Sequence, residues 1–143
     1  MSVNKRNSEG YYDPTAYEAL VKIEREARQA HAFRPMVYIC SPLSGNIAAN
    51  QHSARRYCRF AVDGGYIPLA PHLYFPQFMD DSSRAERDLA LFMDIVLLSK
   101  CAELWVFGEI ISKGMSIEIE KARRKNQTIR WFTTGCKEVT HHA

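Results

Sequence analysis

Apolar positions along this chain follow two alternating rhythms: short runs, and longer stretches with a helical period. Met36-Val37-Tyr38-Ile39-Cys40 is a short apolar run ending in the turn-rich Ser41-Pro42-Leu43-Ser44-Gly45. That pattern predicts a buried strand and then a loop. Asn46 suits a helix N-cap. Ala54, Tyr57, Cys58, Ala61 and Val62 then form an apolar stripe, which Gly64-Gly65 ends. Tyr66 to Ala70 predicts a second strand, and Pro68 and Pro71 make it end early or lie at an edge. The aromatic loop Pro71 to Pro76 follows and carries His72. Ser83-Arg84-Ala85-Glu86 has the form of a capping box and opens a helix running to about Lys100. Glu103 to Phe107 predicts the third strand. Ser112 to about Lys125 predicts a helix whose basic last turn suits its negative end. Thr128 to Thr133, rich in β-branched and aromatic residues, predicts a last strand. Upstream, Tyr17, Leu20, Val21, Ala27 and Ala30 predict a helix from Thr15 to about Phe33. The polar stretch Met1 to Pro14 is expected to be loosely draped.

Strands alternating with helices imply an α/β fold, a Rossmann/flavodoxin-like three-layer sandwich with a mainly parallel sheet, plus an N-terminal helix. The expected division is 1–34 for the tail and helix, 35–135 for the α/β domain and 136–143 for a C-terminal tail. Ligands of such sheets bind beyond the carboxyl ends of the strands. That rule selects three loops: Ser41–Gly45, Pro71–Pro76 and Gly108–Gly114.

Two acids interrupt apolar helix faces. Asp94 shares a face with Leu91, Ile95 and Leu98, and Glu118 shares one with Met115, Ile119 and Ala122. Burying an unpaired carboxylate is costly. Either each acid escapes at the stripe edge or pairs with an arginine, or the face opens onto a pocket where the acid works. Glu118 follows Gly114 by about a turn, where the helix dipole favours an anion. This predicts an ionised carboxylate facing a pocket, which suits a nucleophile. Two carboxyl groups at one sugar are the equipment of glycoside cleavage. Ser112 and the free N–H groups near Gly114 form a plausible phosphate site, or a plain N-cap. The hydroxyl-rich turn from Ser41 to Gly45 is a second such place.

Composition narrows the function classes. The 143 residues suit one domain, and a net charge of +3 is too mild to argue for nucleic acid as a partner. No apolar run approaches the roughly 20 residues that cross a membrane, and the polar N-terminus lacks a signal-peptide core. Cys40, Cys58, Cys101 and Cys136 form no CxxC pair and have no histidine at metal spacing, so reduced, mostly buried thiols in a cytoplasmic protein without a metal site are expected.

Gly114-Met115-Ser116-Ile117-Glu118-Ile119, with Ala122 behind it, resembles the catalytic helix of the nucleoside 2-deoxyribosyltransferase family. The resemblance implies that Glu118 is the nucleophile that takes the sugar. The branch that hydrolyses 2′-deoxynucleoside 5′-monophosphates is similar over a longer stretch: Asp94, the strand Leu104 to Phe107, Ser112 and Gly114. There the serine contacts the 5′-phosphate, whereas the transferases usually carry Asp at that place. Val37-Tyr38-Ile39-Cys40 resembles the family's opening strand, whose tyrosine lines the sugar pocket. Pro42 stands about where the hydrolases have a phosphate-binding serine, so Ser41 or Ser44 would substitute. Ala102 replaces an acid common at the start of the third strand. The chain also looks like small bacterial and phage proteins related to this family, from about Met36 to Phe132.

The resemblance implies a hydrolase cleaving the N-glycosidic bond of a nucleoside 5′-monophosphate. Glu118 and Asp94 would be catalytic, with Tyr38, Ser41, Ser44, Gly45, His72, Ser112 and Gly114 binding substrate. The alternatives are a 2-deoxyribosyltransferase and a nucleotide-binding or sensing module without turnover. No metal or redox cofactor is required by this chemistry. The implied partners are a small nucleotide or nucleoside and further copies of the chain in a homo-oligomer, a dimer or tetramer, with the Pro71–Pro76 loop and the N-terminal helix as contact candidates.

Overall fold

Period-two alternation along the first strand sorts the core into two halves. In the computed structural model, strand β1 (Met36–Cys40) sends Val37 and Ile39 to one face and Tyr38 and Cys40 to the other, all buried. Neighbouring strand β3 (Glu103–Phe107) does the same, with Trp105 and Phe107 on the first face and Leu104 and Val106 on the second. A strand buried on both faces reads as a continuous apolar run, as these two do.

The structure describes residues 14–30 and 33–140. The stretch expected to be loosely draped lies outside them except for Pro14, and so does part of the span over which the first helix was expected to end. Helix α1 (Pro14–Ala30) is amphipathic. By their contacts the residues group into two units, Met1–Phe33 and Arg34–Ala143.

The second unit carries a five-stranded sheet in the order β2-β1-β3-β4-β5, with β2 (Ile67–Leu69), β4 (Thr128–Phe132) and β5 (Glu138–Val139) completing it. The first four strands run parallel and β5 is antiparallel to β4. Proline-containing β2 is short and sits at the edge, as a residue without an N–H requires. Strand β5 falls within the expected tail. There Thr133 Oγ1 accepts from the N–H groups of Gly135 and Lys137, turning the chain back. Arg130 then grips Glu138 across the two strands at 2.8 and 2.9 Å.

Helix α2 (Ile47–Asp63) covers the first face. Asn46 caps it by accepting from the Ala49 N–H, and Gly65, at φ +91, makes the left-handed turn into β2. On this face Tyr57 stacks on Phe107 at 4.1 Å between centroids, and Phe107 stacks on Phe132 at 5.0 Å. Helices α3 (Arg84–Leu98) and α4 (Lys113–Arg124) supply the second face through Leu98, Met115, Ile119 and Ala122. Ser83 and Ser112 cap them by accepting from Glu86 and Met115 N–H groups. Because α2 lies on one face and α3 and α4 on the other, the neighbours β1 and β3 mark the switch point where such sheets open a crevice. No helix among the described residues is long and apolar enough to cross a membrane.

Candidate active site

The site grows from a mismatch on the α4 face of the sheet. Helical spacing puts Glu118 between Met115 and Ala122, so its carboxyl must enter the core beside them. It does: Glu118 is only 7 % exposed. Tyr38, at the middle of β1, donates its hydroxyl to Oε2. Cys40 Sγ, two residues on and on the same strand face, lies 3.5 Å from Oε1. Asp94, from α3, acts on both Glu118 and Tyr38 through its charge. Three elements thus aim four titratable groups at one place near the carboxyl end of β1.

Burial dominates the electrostatics there. It raises Glu118 from 4.5 to about 8; the Tyr38 hydrogen bond opposes this, and Asp94 adds to it. The expectation that the helix dipole keeps Glu118 ionised is therefore corrected. Glu118 sits in the second turn of α4, beyond the first turn where the dipole acts, and desolvation outweighs it. Burial also lifts Asp94 to about 7, and its Oδ1 is buried without a hydrogen-bond partner. Tyr38 and Cys40 are held in their neutral, donating forms by burial first and Glu118 second.

The first selected loop meets the other two: Ser41 is bonded to His72 of the second and lines a cavity with Gly108, Glu109 and Ile110 of the third. Ser41 Oγ and His72 Nε2 are hydrogen-bonded at 3.0 Å, joining the first loop to the second. His72, expected to bind substrate, is half-buried, and burial lowers it to about 4, so the ring is neutral. Gln51, from α2, donates to the His72 carbonyl at 3.2 Å. A small cavity of about 40 Å³ lies between His72, Phe75 and Asp94. It has room for about one water molecule. A larger one of about 380 Å³ lies at the switch point, between Ser41, Asn50, Ser53, Tyr57, Gly108 and Thr134.

Not every expected residue comes together. Ser44 and Gly45 are exposed in the turn after β1, whose shape is set by Asn50 donating to the Leu43 and Ser44 carbonyls and by Gly45 at φ +93. Ser112 spends its oxygen as the cap of α4. Gly114 is helical, and a Cβ there would meet nothing within 4 Å, so neither strain nor packing within the chain explains a glycine. Sequence reasoning missed Cys40, although its two-residue spacing from Tyr38 was the available signal. It assigned no role to Asn50 and Ser53, which line the larger cavity from one face of α2 beside Tyr57; Tyr57, read as part of the apolar stripe, is buried as expected.

Solved structures with this fold share it at low identity. A 2-desoxiribosyltransferase from Leishmania mexicana aligns over 69 % of this chain at 14 % identity and a TM-score of 0.51. The chain spans 64 % of that protein's length. A 2-deoxyribosyltransferase from the psychrotolerant bacterium Bacillus psychrosaccharolyticus aligns over 74 % of this chain and 77 % of its own, at 14 % identity and a TM-score of 0.56. No curated protein matches the chain. At the level of sequence the match is to a family described as a domain of unknown function, DUF7768, over residues 35–132. That span runs from the residue before β1 to the end of β4 and holds every residue of the cluster, and by it the chain belongs to the DUF7768 family.

Proposed function

We propose that this protein cleaves the N-glycosidic bond of a nucleoside 5′-monophosphate, with Glu118 as nucleophile. The observation that carries the reading is the buried Glu118 carboxyl, held by Tyr38 and Cys40 and faced by Asp94, at the strand ends of a deoxyribosyltransferase-like fold. In the first step a Glu118 oxygen attacks C1′ and forms a glycosyl ester. The C1′–N bond breaks, its electron pair stays on the base, and the neutral Asp94 supplies the proton. Water then attacks C1′, Asp94 takes back a proton and Glu118 leaves as carboxylate. The reactive form holds one proton on the pair, on Asp94; with Glu118 raised to about 8 and Asp94 to about 7, that proton rests mostly on Glu118, and the reactive arrangement is the minor one. Two acids that interact this closely titrate together, and activity should centre between about pH 7 and pH 8.

Open space at Gly114 and the first amides of α4 suit a phosphate, with Ser112 and the Ser41–Gly45 turn beside it. His72, neutral and half-buried, suits a contact with the base. The same reading carries a homo-oligomer in the cytoplasm, with Tyr74 and Phe78, 61 % and 60 % exposed, at a contact between copies. The named activity of the structural relatives favours one rival, transfer of deoxyribose between bases.

The test is a panel of ribo- and deoxynucleoside 5′-monophosphates, with free base measured with and without a second base present. Free base from wild type but not from Glu118→Ala supports hydrolysis. A new nucleoside 5′-monophosphate in place of free sugar phosphate supports transfer. No product of either kind defeats both.

A further inference from the structure

Glu118 is held by two donors, the Tyr38 hydroxyl and, less usually, the Cys40 thiol. Cys40 is fully buried at the end of β1, on the same strand face as Tyr38, among Val106, Met115 and Ile119. Its Sγ lies 3.5 Å from Glu118 Oε1 and 4.0 Å from the Met115 carbonyl oxygen. A thiol has one hydrogen, and the nearer acceptor is also the one that becomes charged when Glu118 ionises. We infer that Cys40 is a positioning residue for the nucleophile: its S–H holds Oε1 while the Tyr38 O–H holds Oε2.

A glutamate side chain turns about several bonds, and a single donor on one oxygen leaves the carboxyl free to rotate about the last of them. Two donors on different oxygens, both from one rigid strand, fix its plane, and a fixed plane is what in-line attack on a carbon needs. A weak donor suits the attacking oxygen. A strong hydrogen bond would stabilise the carboxylate before reaction and blunt it, whereas a thiol orients it at little cost. The ionisable groups facing Glu118 are Tyr38 and Cys40 from β1 and Asp94 from α3, so the state of Cys40 is read directly in the titration of Glu118.

This inference rests on Glu118 as nucleophile, but its test does not need activity. The δ-carboxyl carbon of Glu118 is followed by NMR in glutamate-labelled protein, assigned with Glu118→Gln. Wild type is compared with Cys40→Ala, Cys40→Ser and Cys40→Val, the last filling the space without a donor. Loss of the thiol should move the Glu118 titration up by about 0.5–1 pH unit in the Ala and Val variants, while Ser stays at or below wild type. Where base release is observed, its acid limb should move in step. There kcat should fall about 5–10-fold in Ala and Val with KM unchanged, and Ser should restore most of it. Titration in Ala and Val at the wild-type position overturns the inference, as does a Ser variant that behaves like Ala. An absence of base release in wild type defeats the enzymatic reading and leaves the titration to decide the clamp.

Discussion

Replacing Glu118 with Gln should make the protein more stable in alkaline solution, and the gain should vanish in acid. Unfolded, this glutamate ionises near 4.5; folded, burial holds its proton until about pH 8. Below pH 4.5 both states are protonated and the group contributes no difference. Between 4.5 and 8 the unfolded chain gives up its proton and the folded one does not, so unfolding becomes easier as pH rises. The slope is about 1.36 kcal/mol per pH unit. Carried across the whole interval, that amounts to an upper value of about 5 kcal/mol. It is a large share of the ~5–15 kcal/mol by which a domain is held folded. Gln keeps the shape and an oxygen for the Tyr38 hydroxyl but cannot ionise. Urea unfolding of wild type and Glu118→Gln at pH 5 and at pH 9 gives the numbers. The two should agree within about 1 kcal/mol at pH 5 and separate by about 2–5 kcal/mol in favour of Gln at pH 9. At a urea dependence of ~2 kcal/mol per molar, that is a midpoint shift of about 1–2.5 M. Unfolding curves that keep the same separation from pH 5 to pH 9 would refute a buried, proton-retaining Glu118.

Two further outcomes concern the same cluster and a third the start of α4. Tyr38→Phe removes the donor on Oε2, so Glu118 should titrate higher and kcat should drop about 10–100-fold, as the loss of a hydrogen bond to a charged group implies; a pH–rate profile checks both. Asp94→Asn removes the proton donor and should lower base release about 10²–10⁴-fold, least for the least basic leaving bases, in a panel of nucleotides. It should also remove the part of the alkaline destabilisation that begins below about pH 7. Gly114→Ala adds a methyl where a Cβ meets nothing within 4 Å, so thermal unfolding should show about 0.5–1 kcal/mol of added stability, while nucleotide affinity by calorimetry falls if phosphate approaches those amides.

Much of this was legible because local and global preferences agree. The runs that became β1 and β3 are apolar on both faces because helices cover both, and Ser83 and Ser112 announced their helices by capping chemistry. Glu118 and Asp94 stood out because an acid at helical spacing within an apolar stripe has no local reason to be there. Strand β5 was not legible. Only two residues long, it exists through a turn closed by Thr133 and a pairing with β4 distant from any periodic signal. The protonation of Glu118 was misread for a related reason: the dipole is a property of one helix, whereas desolvation comes from β1 and α3 closing over it. Burial of His72 likewise depends on Ser41 and Gln51 meeting it from elsewhere in the chain.

The protein itself provides a contrast that bears on what Glu118 is for. Glu103 and Glu138 also lie beside the sheet, and both are answered by Arg130, which sits 4.8 Å over the Trp105 ring and pairs with the two acids at 3.6 and 2.8 Å. That is how this fold settles an acid whose work is structural: a full positive charge, close by and partly shielded. Among the described residues neither Glu118 nor Asp94 forms such a pair, although both are far more expensive to bury. Glu118 receives neutral donors instead, a phenol and a thiol, which orient a carboxylate without neutralising it. An arginine there would remove the alkaline instability, and it would also quench the anion. A site that accepts the cost and places no cation beside the carboxyl fits the chemistry proposed for Glu118. A double variant that installs a cation beside Glu118, such as Tyr38→Phe with Cys40→Lys, should therefore release no base at any pH. Retained base release in that variant would show that the uncompensated burial of Glu118 serves something other than its reactivity.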